Sequence, residues 1–170
     1  MRFLFPITPH DNITVDIYNT HTQSDELYTG EAEARRLNQL KQVLPEIENS
    51  DADLVIFGGD FNDYPGSRAY AELTRKLVDA ALEKDNMYHD VHNLDSHTFG
   101  NRHNLYTYNT KDDFKRTLDY IVFRRPGPQD RINVRVMDFR IPHHVRYDGK
   151  ETMSLSDHEQ VEVTFDVSLK

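Results

Sequence analysis

The sequence of 170 residues contains no cysteine. This absence excludes disulfide bonds, thiolate metal sites and a cysteine nucleophile, and it leaves the cellular compartment open. Basic residues are also scarce: 20 lysines and arginines stand against 29 aspartates and glutamates. The resulting formal net charge of -9 argues mildly against non-specific nucleic-acid binding, which rests on clustered basic side chains.

Long apolar runs are missing as well. No stretch is long enough to span a bilayer, and the apolar run at the amino end is too short for a signal peptide. A cytoplasmic or membrane-peripheral location is therefore favoured. A hydrophobic content of 37% over this length suits one globular domain with its own core.

The most informative stretch covers residues 54–66. Its apolar start, Leu54–Phe57, is bounded by glycines and predicts a short buried strand. Gly58-Gly59 permits a tight bend, so Asp60 and Asn62 emerge at the carboxyl end of that strand, where open α/β sheets place their ligands. The alternative is that these two residues only shape a turn.

The preceding segment predicts a strand followed by a helix. Residues 13–18 alternate between apolar and polar types, the pattern of a strand with one buried face, and they lead directly to His21. From Gly30 the apolar residues recur at helical spacing, and Pro45 is expected to end or kink this helix. The order strand, helix, strand favours parallel pairing of the two strands.

The rest of the chain predicts a second helix and three strands. Ser67 suits the N-cap of that helix, and strands are expected over residues 117–123, 132–137 and 161–167. Residues 85–113 and 143–150 are polar and predict loops, in which the pair His89 and His92 is interpreted as solvated rather than metal-binding. Asp119 opens the first of the three strands. The last strand follows Asp157 and His158.

Four polar clusters therefore flank predicted strands: Thr20-His21, Gly59-Asp60-Phe61-Asn62, Leu118-Asp119-Tyr120 and Ser156-Asp157-His158. In this order they resemble the endonuclease/exonuclease/phosphatase superfamily of Mg²⁺-dependent phosphodiesterases. Within that superfamily the chain looks most like the neutral sphingomyelinases, because it also carries Tyr28, Arg36, Gln39, Asp79-Ala80 and Leu155-Ser156-Asp157-His158-Glu159.

The resemblance implies a fold and a set of roles. The fold would be part of a four-layered α/β sandwich of the deoxyribonuclease-like type, with a mixed sheet and two main helices. The implied catalytic residues are His21, Asp60, Asn62, Asp119 and His158. Asp157 is the implied ligand of Mg²⁺, because hard cations prefer carboxylate oxygens.

One departure from the superfamily pattern changes the expectation. Members normally have another strand-rich half before the His21 cluster, which carries an Asn and a metal-binding Glu, and residues 1–12 show neither in a strand context. Residues 1–170 are therefore interpreted as a single partial domain, its carboxyl-terminal portion. With the principal Glu ligand of Mg²⁺ missing, little activity is expected from this chain alone.

Three functions stay open. The first is hydrolysis of a phospholipid substrate, sphingomyelin, to ceramide and phosphocholine, with peripheral membrane contact and with aromatics such as Phe99, Tyr106 and Tyr108 at the rim of the site. The second is an endonuclease of the same superfamily, although nucleic acid is the less favoured partner. The third is a catalytically inactive half-domain or binding module, which predicts an exposed apolar patch.

Overall fold

The fold is organised around a five-stranded mixed sheet with the strand order β1-β2-β3-β5-β4. A computed structural model describes residues 1–24, 30–85, 98, 117–142, 145–147, 152–154, 156 and 158–170. The strands of the main sheet are β1 (Arg2–Pro6), β2 (Asn12–His21), β3 (Leu54–Asp60), β4 (Val78–Asp79) and β5 (Asp119–Phe123). β2 and β3 are parallel, and the other neighbours are antiparallel.

Within the described residues, the remaining elements are three helices and two small antiparallel sheets. The helices are α1 (Gly30–Glu48), α2 (Arg68–Lys76) and α3 (Ala80–Asp85). The small sheets pair β6 (Ile132–Arg140) with β9 (Glu162–Leu169), and β7 (Val145–Tyr147) with β8 (Thr152–Ser154). This mixed α/β architecture with few helices confirms the predicted fold class.

The alternation of side chains along β3 separates two layers of the core. Val55 and Phe57 belong to the cluster that also contains the apolar residues of α1 and α2. Leu54, in contrast, packs in a second cluster with Ile132 of β6. Because successive residues of a strand point to opposite faces, α1 and α2 pack against one face of β3 and the β6–β9 sheet against the other, although Val136 and Phe139 of β6 also join the first cluster.

The βαβ unit forms as predicted, with one difference in α1. Pro45 lies inside the helix, which continues to Glu48. The residues on either side of it explain this, because Leu44 and Ile47 are both buried in the core and hold the last turn in place. Ser67 is the N-cap of α2, as predicted: its hydroxyl accepts a 2.9 Å hydrogen bond from the Tyr70 amide.

Two strand regions correct the sequence-based expectation. No strand was predicted within residues 1–12, but β1 pairs antiparallel with β2, and Arg2 forms an ion pair with Asp16 at 2.8 Å. Residues 143–150 were expected to form a loop, but β7 occupies part of that range and pairs with β8. Both strands are short and lack a long alternating pattern, so the pairing partner decides their conformation.

β1 forms an edge of the main sheet and is exposed along its whole length. Phe3, Leu4 and Phe5 are 37%, 69% and 46% exposed. An apolar surface of this kind is what the binding-module alternative predicts. No helix in the described part of the chain combines the length and the apolar character needed to cross a bilayer.

Gly59 is the residue that allows β2 to approach β3 closely at their carboxyl ends. Its φ of +131° is a conformation that other residues rarely adopt. A Cβ at this position would also lie 2.0 Å from the carbonyl oxygen of Thr20. The absence of a side chain is therefore required both by the backbone conformation and by the neighbouring strand.

We expect Gly59→Ala to lower the free energy of unfolding by more than about 3 kcal/mol, because strain and a clash with backbone act together. Gly30→Ala is the matched control, since nothing lies within 4 Å of a Cβ built there. Urea unfolding of both variants measures the difference. Equal stabilities would contradict the close approach of the two strands.

Asp79 is a buried carboxyl group, 2% exposed, behind the carboxyl end of α2. Burial raises its pKa to about 6, against the opposing effect of hydrogen bonds from the Tyr70 hydroxyl and from backbone amides. The same burial, together with the nearby Asp79 carboxylate, raises the pKa of Tyr70. Asp79 also accepts a 2.9 Å hydrogen bond from the Ala81 amide at the start of α3.

The raised pKa of Asp79 predicts a stability change with pH. Between about pH 4 and pH 6 the folded protein keeps a proton that the unfolded chain releases, so the free energy of unfolding should fall as pH rises through this window. The expected loss is about 2 to 3 kcal/mol relative to Asp79→Asn, which does not titrate. Unfolding curves of both proteins at pH 4 and pH 7 measure it. A parallel pH dependence in the two proteins would exclude a raised pKa.

Candidate active site

Three of the predicted residues form one row across neighbouring strands. The parallel register of β2 and β3 places His21 opposite Asp60, and the antiparallel register of β3 and β5 places Asp60 opposite Asp119. Directly opposed residues in a sheet have Cβ atoms about 5 Å apart. The strand ends therefore bring a histidine and two carboxylates together from distant parts of the sequence.

The fourth predicted residue, His158, joins this row through Asp119. Its Nδ1 atom lies 2.8 Å from the Asp119 Oδ2 atom, while the two side chains are only 28% and 18% exposed. A carboxylate in this position favours the tautomer that carries the proton on Nδ1. In that tautomer the His158 Nε2 atom carries no proton, and it lies 3.7 Å from the Asp60 Oδ2 atom.

The Asp60 Oδ2 atom is the point on which the predicted side chains converge. Besides His158, it is approached by the His21 Nε2 atom at 3.4 Å and by the Asn62 side-chain amide at 3.2 Å. The Asn62 backbone amide donates to the other Asp60 oxygen at 2.7 Å. Asn62 has a φ of +47°, a left-handed conformation that asparagine tolerates better than most residues.

Asp60 has an altered acidity in this environment. Its side chain is 15% exposed, and burial is the main cause that raises the pKa of its carboxyl group. The hydrogen bond from the Asn62 backbone amide opposes this, the Asp119 carboxylate adds to it, and the two imidazoles oppose it. A carboxyl group with a raised pKa is a better proton acceptor than an ordinary surface aspartate.

The same cluster has the donor set of a metal site. Asp60, Asp119 and His158 each offer one ligand atom, and these atoms lie within 4.8 Å of one another. Two carboxylate oxygens and an imidazole nitrogen fit a divalent cation. Asp157, the metal ligand predicted from the sequence, lies outside the described residues, as do His89, His92, Phe99, Tyr106 and Tyr108.

Thr98 is a supporting residue that the sequence-based reasoning missed. It is fully buried, and its hydroxyl accepts hydrogen bonds from the amides of Leu118 and Asp119 at 2.9 and 3.0 Å. Its carbonyl accepts a 2.7 Å hydrogen bond from the Glu159 amide. One residue thus holds both segments that carry the Asp119–His158 pair. Because it lies in a polar region without periodicity, the sequence gives no signal for it.

The family assignment follows from comparison with known proteins. The sequence matches the Endonuclease/Exonuclease/phosphatase family over residues 3–158. The chain belongs to this family. Its members are hydrolases that act on phosphoesters and typically use divalent metals. No match was found among curated proteins.

Solved structures share the fold at low sequence identity. D. rerio TDP2 in complex with a single-stranded DNA product matches with a TM-score of 0.61 and 19% identity, over 91% of this chain and 56% of that one. The mannosyl-6-phosphatase of Bacteroides thetaiotaomicron matches with a TM-score of 0.58 and 16% identity, over 91% of this chain and 51% of that one. Beta toxin from Staphylococcus aureus matches with a TM-score of 0.57 and 21% identity, over 92% of this chain and 54% of that one. The chain thus spans about half the length of these proteins.

The role of Thr98 is tested by two substitutions. Thr98→Val keeps the shape but leaves the Leu118 and Asp119 amides without their acceptor, so we expect a loss of about 1 to 3 kcal/mol and a weaker Asp119–His158 hydrogen bond. Thr98→Ser keeps the hydroxyl and should lose about 1 kcal/mol. Urea unfolding and the NMR signal of the His158 ring N–H measure the two effects. A larger effect of the serine variant would exclude the hydroxyl as the cause.

Proposed function

We propose that the protein is a divalent-metal-dependent phosphodiester hydrolase that acts on sphingomyelin and releases ceramide and phosphocholine. The observation that carries the reaction type is the 2.8 Å Asp119–His158 hydrogen bond, which leaves the second ring nitrogen facing Asp60. Hydrolysis of a phosphodiester needs a water aligned for attack, neutralised phosphoryl oxygens and a stabilised leaving oxygen. The residues of the row supply groups for each requirement.

His158 is proposed as the general base. Imidazole ordinarily titrates near neutral pH and accepts the proton of an attacking water efficiently. Asp119 holds the ring in the tautomer in which Nε2 is unprotonated and stabilises the imidazolium formed when the proton arrives. Asp60 is the rival base, because burial raises the pKa of its carboxyl group.

Asn62 is proposed to orient the reactants together with Asp60, and His21 is proposed to stabilise the charge that develops during the reaction. Asn62 donates its side-chain amide to Asp60 and to the Thr22 carbonyl, at 3.2 and 3.0 Å, so its position beside Asp60 is fixed from two sides. Asp60 and Asn62 would orient the attacking water and a phosphoryl oxygen. His21, with its side chain 70% exposed, would donate to the phosphoryl group or the leaving oxygen when protonated.

Asp60 and Asp119, the two carboxylates of this donor set, are proposed to hold the divalent cation, with Asp157 as a further ligand, while the His158 Nε2 atom keeps its lone pair for the proton of the water. A bound Mg²⁺ supplies positive charge that polarises the phosphoryl oxygens. The observation that supports this is the donor set of the cluster itself, since two partly buried carboxylates at one site are otherwise held at the cost of mutual repulsion.

The choice of sphingomyelin rests on sequence resemblance and on two physical observations. The resemblance to the neutral sphingomyelinases rests in part on Arg36, Gln39 and Asp79-Ala80. Tyr64 lies two residues after Asn62 and is 45% exposed, so an exposed aromatic side chain follows the site in the sequence, which suits contact with a lipid surface. The net charge of -9 is unfavourable for a polyanion such as DNA.

The rival substrates are those of fold neighbours. A TDP2 structure holds a single-stranded DNA product, and another neighbour is a mannosyl-6-phosphatase. A nuclease would need basic side chains beside the row, and a phosphomonoesterase would need a pocket for the extra phosphate charge.

In a version that includes any coding sequence upstream of Met1, we expect Mg²⁺-dependent release of phosphocholine from sphingomyelin in mixed micelles, and a loss of activity of about a hundredfold to ten-thousandfold in His158→Gln, whereas little activity is expected from residues 1–170 alone. His10→Gln is the control, because His10 is exposed in the turn after β1. Product release is measured for residues 1–170 and for a version that includes any coding sequence upstream of Met1.

The same assay is run with an abasic DNA duplex, single-stranded DNA and mannose 6-phosphate. Cleavage of DNA without hydrolysis of sphingomyelin would establish the nuclease alternative. Inactivity of both folded versions on every substrate would replace the proposal by the non-catalytic binding module.

A further inference from the structure

Helix α1 carries two polar residues on the side that faces the active site, and the proposed chemistry uses neither. Arg36 and Gln39 lie three positions apart, so they occupy neighbouring places on one face of the helix. Each contacts a different segment of the site. Arg36 reaches the turn that follows β3, and Gln39 reaches the chain that follows β2.

Arg36 is 1% exposed and forms an ion pair with Asp63, which is 2% exposed. The Arg36 Nε atom donates to the Asp63 Oδ2 atom at 3.1 Å. The carbonyl of Asp63 accepts a 3.0 Å hydrogen bond from the Tyr120 hydroxyl. The residue immediately after Asn62 is therefore held from the helix side by its carboxylate and from β5 by its carbonyl.

A buried ion pair is an inefficient source of stability, because removing both charges from water costs about as much as their attraction returns. The burial of this pair beside a strained turn is better explained if the pair fixes the backbone conformation of that turn. Asn62 has a φ of +47°, and a neighbouring residue held from two sides prevents the backbone from relaxing.

Gln39 acts on the other segment. Its Oε1 atom accepts a 3.0 Å hydrogen bond from the backbone amide of Gln23, two residues after His21. The two segments are also tied to each other, because the Thr22 carbonyl accepts from the Asn62 side-chain amide and the Thr22 hydroxyl donates to the Phe61 carbonyl. The helix and the two segments thus form a closed set of contacts.

We infer that Arg36 and Gln39 are positioning residues, which fix the His21 and Asn62 segments relative to Asp60. The inference rests on the proposed function, since it assigns these residues to the same reaction. They act through the backbone of Gln23 and through Asp63, and they do not contact the reacting atoms.

Gln39 gives the cleaner test, because its side chain is exposed and a substitution there should leave the fold intact. Gln39→Leu removes the acceptor, whereas Gln39→Glu keeps it. Asn38→Leu is the matched control, an amide-to-leucine change at an exposed neighbouring position of the same helix. All three variants should melt within about 2 °C of the unchanged protein.

The first measurement is hydrogen exchange of the Gln23 backbone amide and the Asn62 side-chain amide by NMR, which does not depend on activity. We expect exchange to accelerate about tenfold in Gln39→Leu. It should stay unchanged in Gln39→Glu and Asn38→Leu. Unchanged exchange in Gln39→Leu would overturn the inference, whatever the enzyme assay shows.

The second measurement is hydrolysis of bis(4-nitrophenyl) phosphate with Mg²⁺. Because misplaced groups slow the chemical step, we expect kcat to fall about tenfold to a hundredfold in Gln39→Leu with little change in KM, and to recover in Gln39→Glu. Faster exchange with an unchanged kcat would also overturn the positioning role. If the protein without any substitution hydrolyses no phosphodiester, the proposed function is contradicted. The hydrogen-exchange data still decide in that case whether α1 holds the two segments.

Arg36→Lys and Arg36→Met extend the test to the second residue. The lysine keeps a buried positive charge for Asp63 and should preserve more of the exchange protection at Asn62 than the methionine does. If both variants fold and protect the Asn62 side-chain amide from exchange equally, Arg36 is not a positioning residue, and the inference holds for Gln39 alone.

Discussion

The pairing of β3 with a parallel strand on one side and an antiparallel strand on the other is the constraint on which the site depends. Backbone hydrogen bonds in both registers place His21, Asp60 and Asp119 side by side. Gly59 makes the first pairing possible, because any side chain there would strike the Thr20 carbonyl. The functional groups therefore owe their proximity to the backbone, and their side-chain contacts only refine it.

The parts of the fold that could be predicted are those whose signal is local. Apolar periodicity was sufficient for β2, α1 and α2, a short apolar run bounded by glycines for β3, and Ser67 marked the start of α2. β1 and the β7–β8 hairpin were missed because short strands are defined by their partners rather than by their own pattern. The helix α1 shows the same limit: Leu40, Leu44 and Ile47 are buried as their spacing predicts, but a charged residue, Arg36, shares that face.

The candidate site divides in the same way. The polar clusters at strand ends suggested a site, and the resemblance to the superfamily implied the five side chains His21, Asp60, Asn62, Asp119 and His158, which lie close together in the structure. The residues that support them, such as Thr98 and Asp63, were not predictable. Thr98 acts through hydrogen bonds to backbone amides, and Asp63 through a buried pair with a distant helix, and neither interaction leaves a periodic trace in the sequence.

The row across β2, β3 and β5 has a consequence for how this site could diversify. Its spacing equals the repeat distance between strands, about 4.8 Å, which is set by peptide geometry and cannot be tuned by substitution. Mutation can thus alter the loops that surround the row but not the interval between its members. Selectivity among phosphoesters would then evolve in the loops around the row, while the spacing of the row itself stays constant.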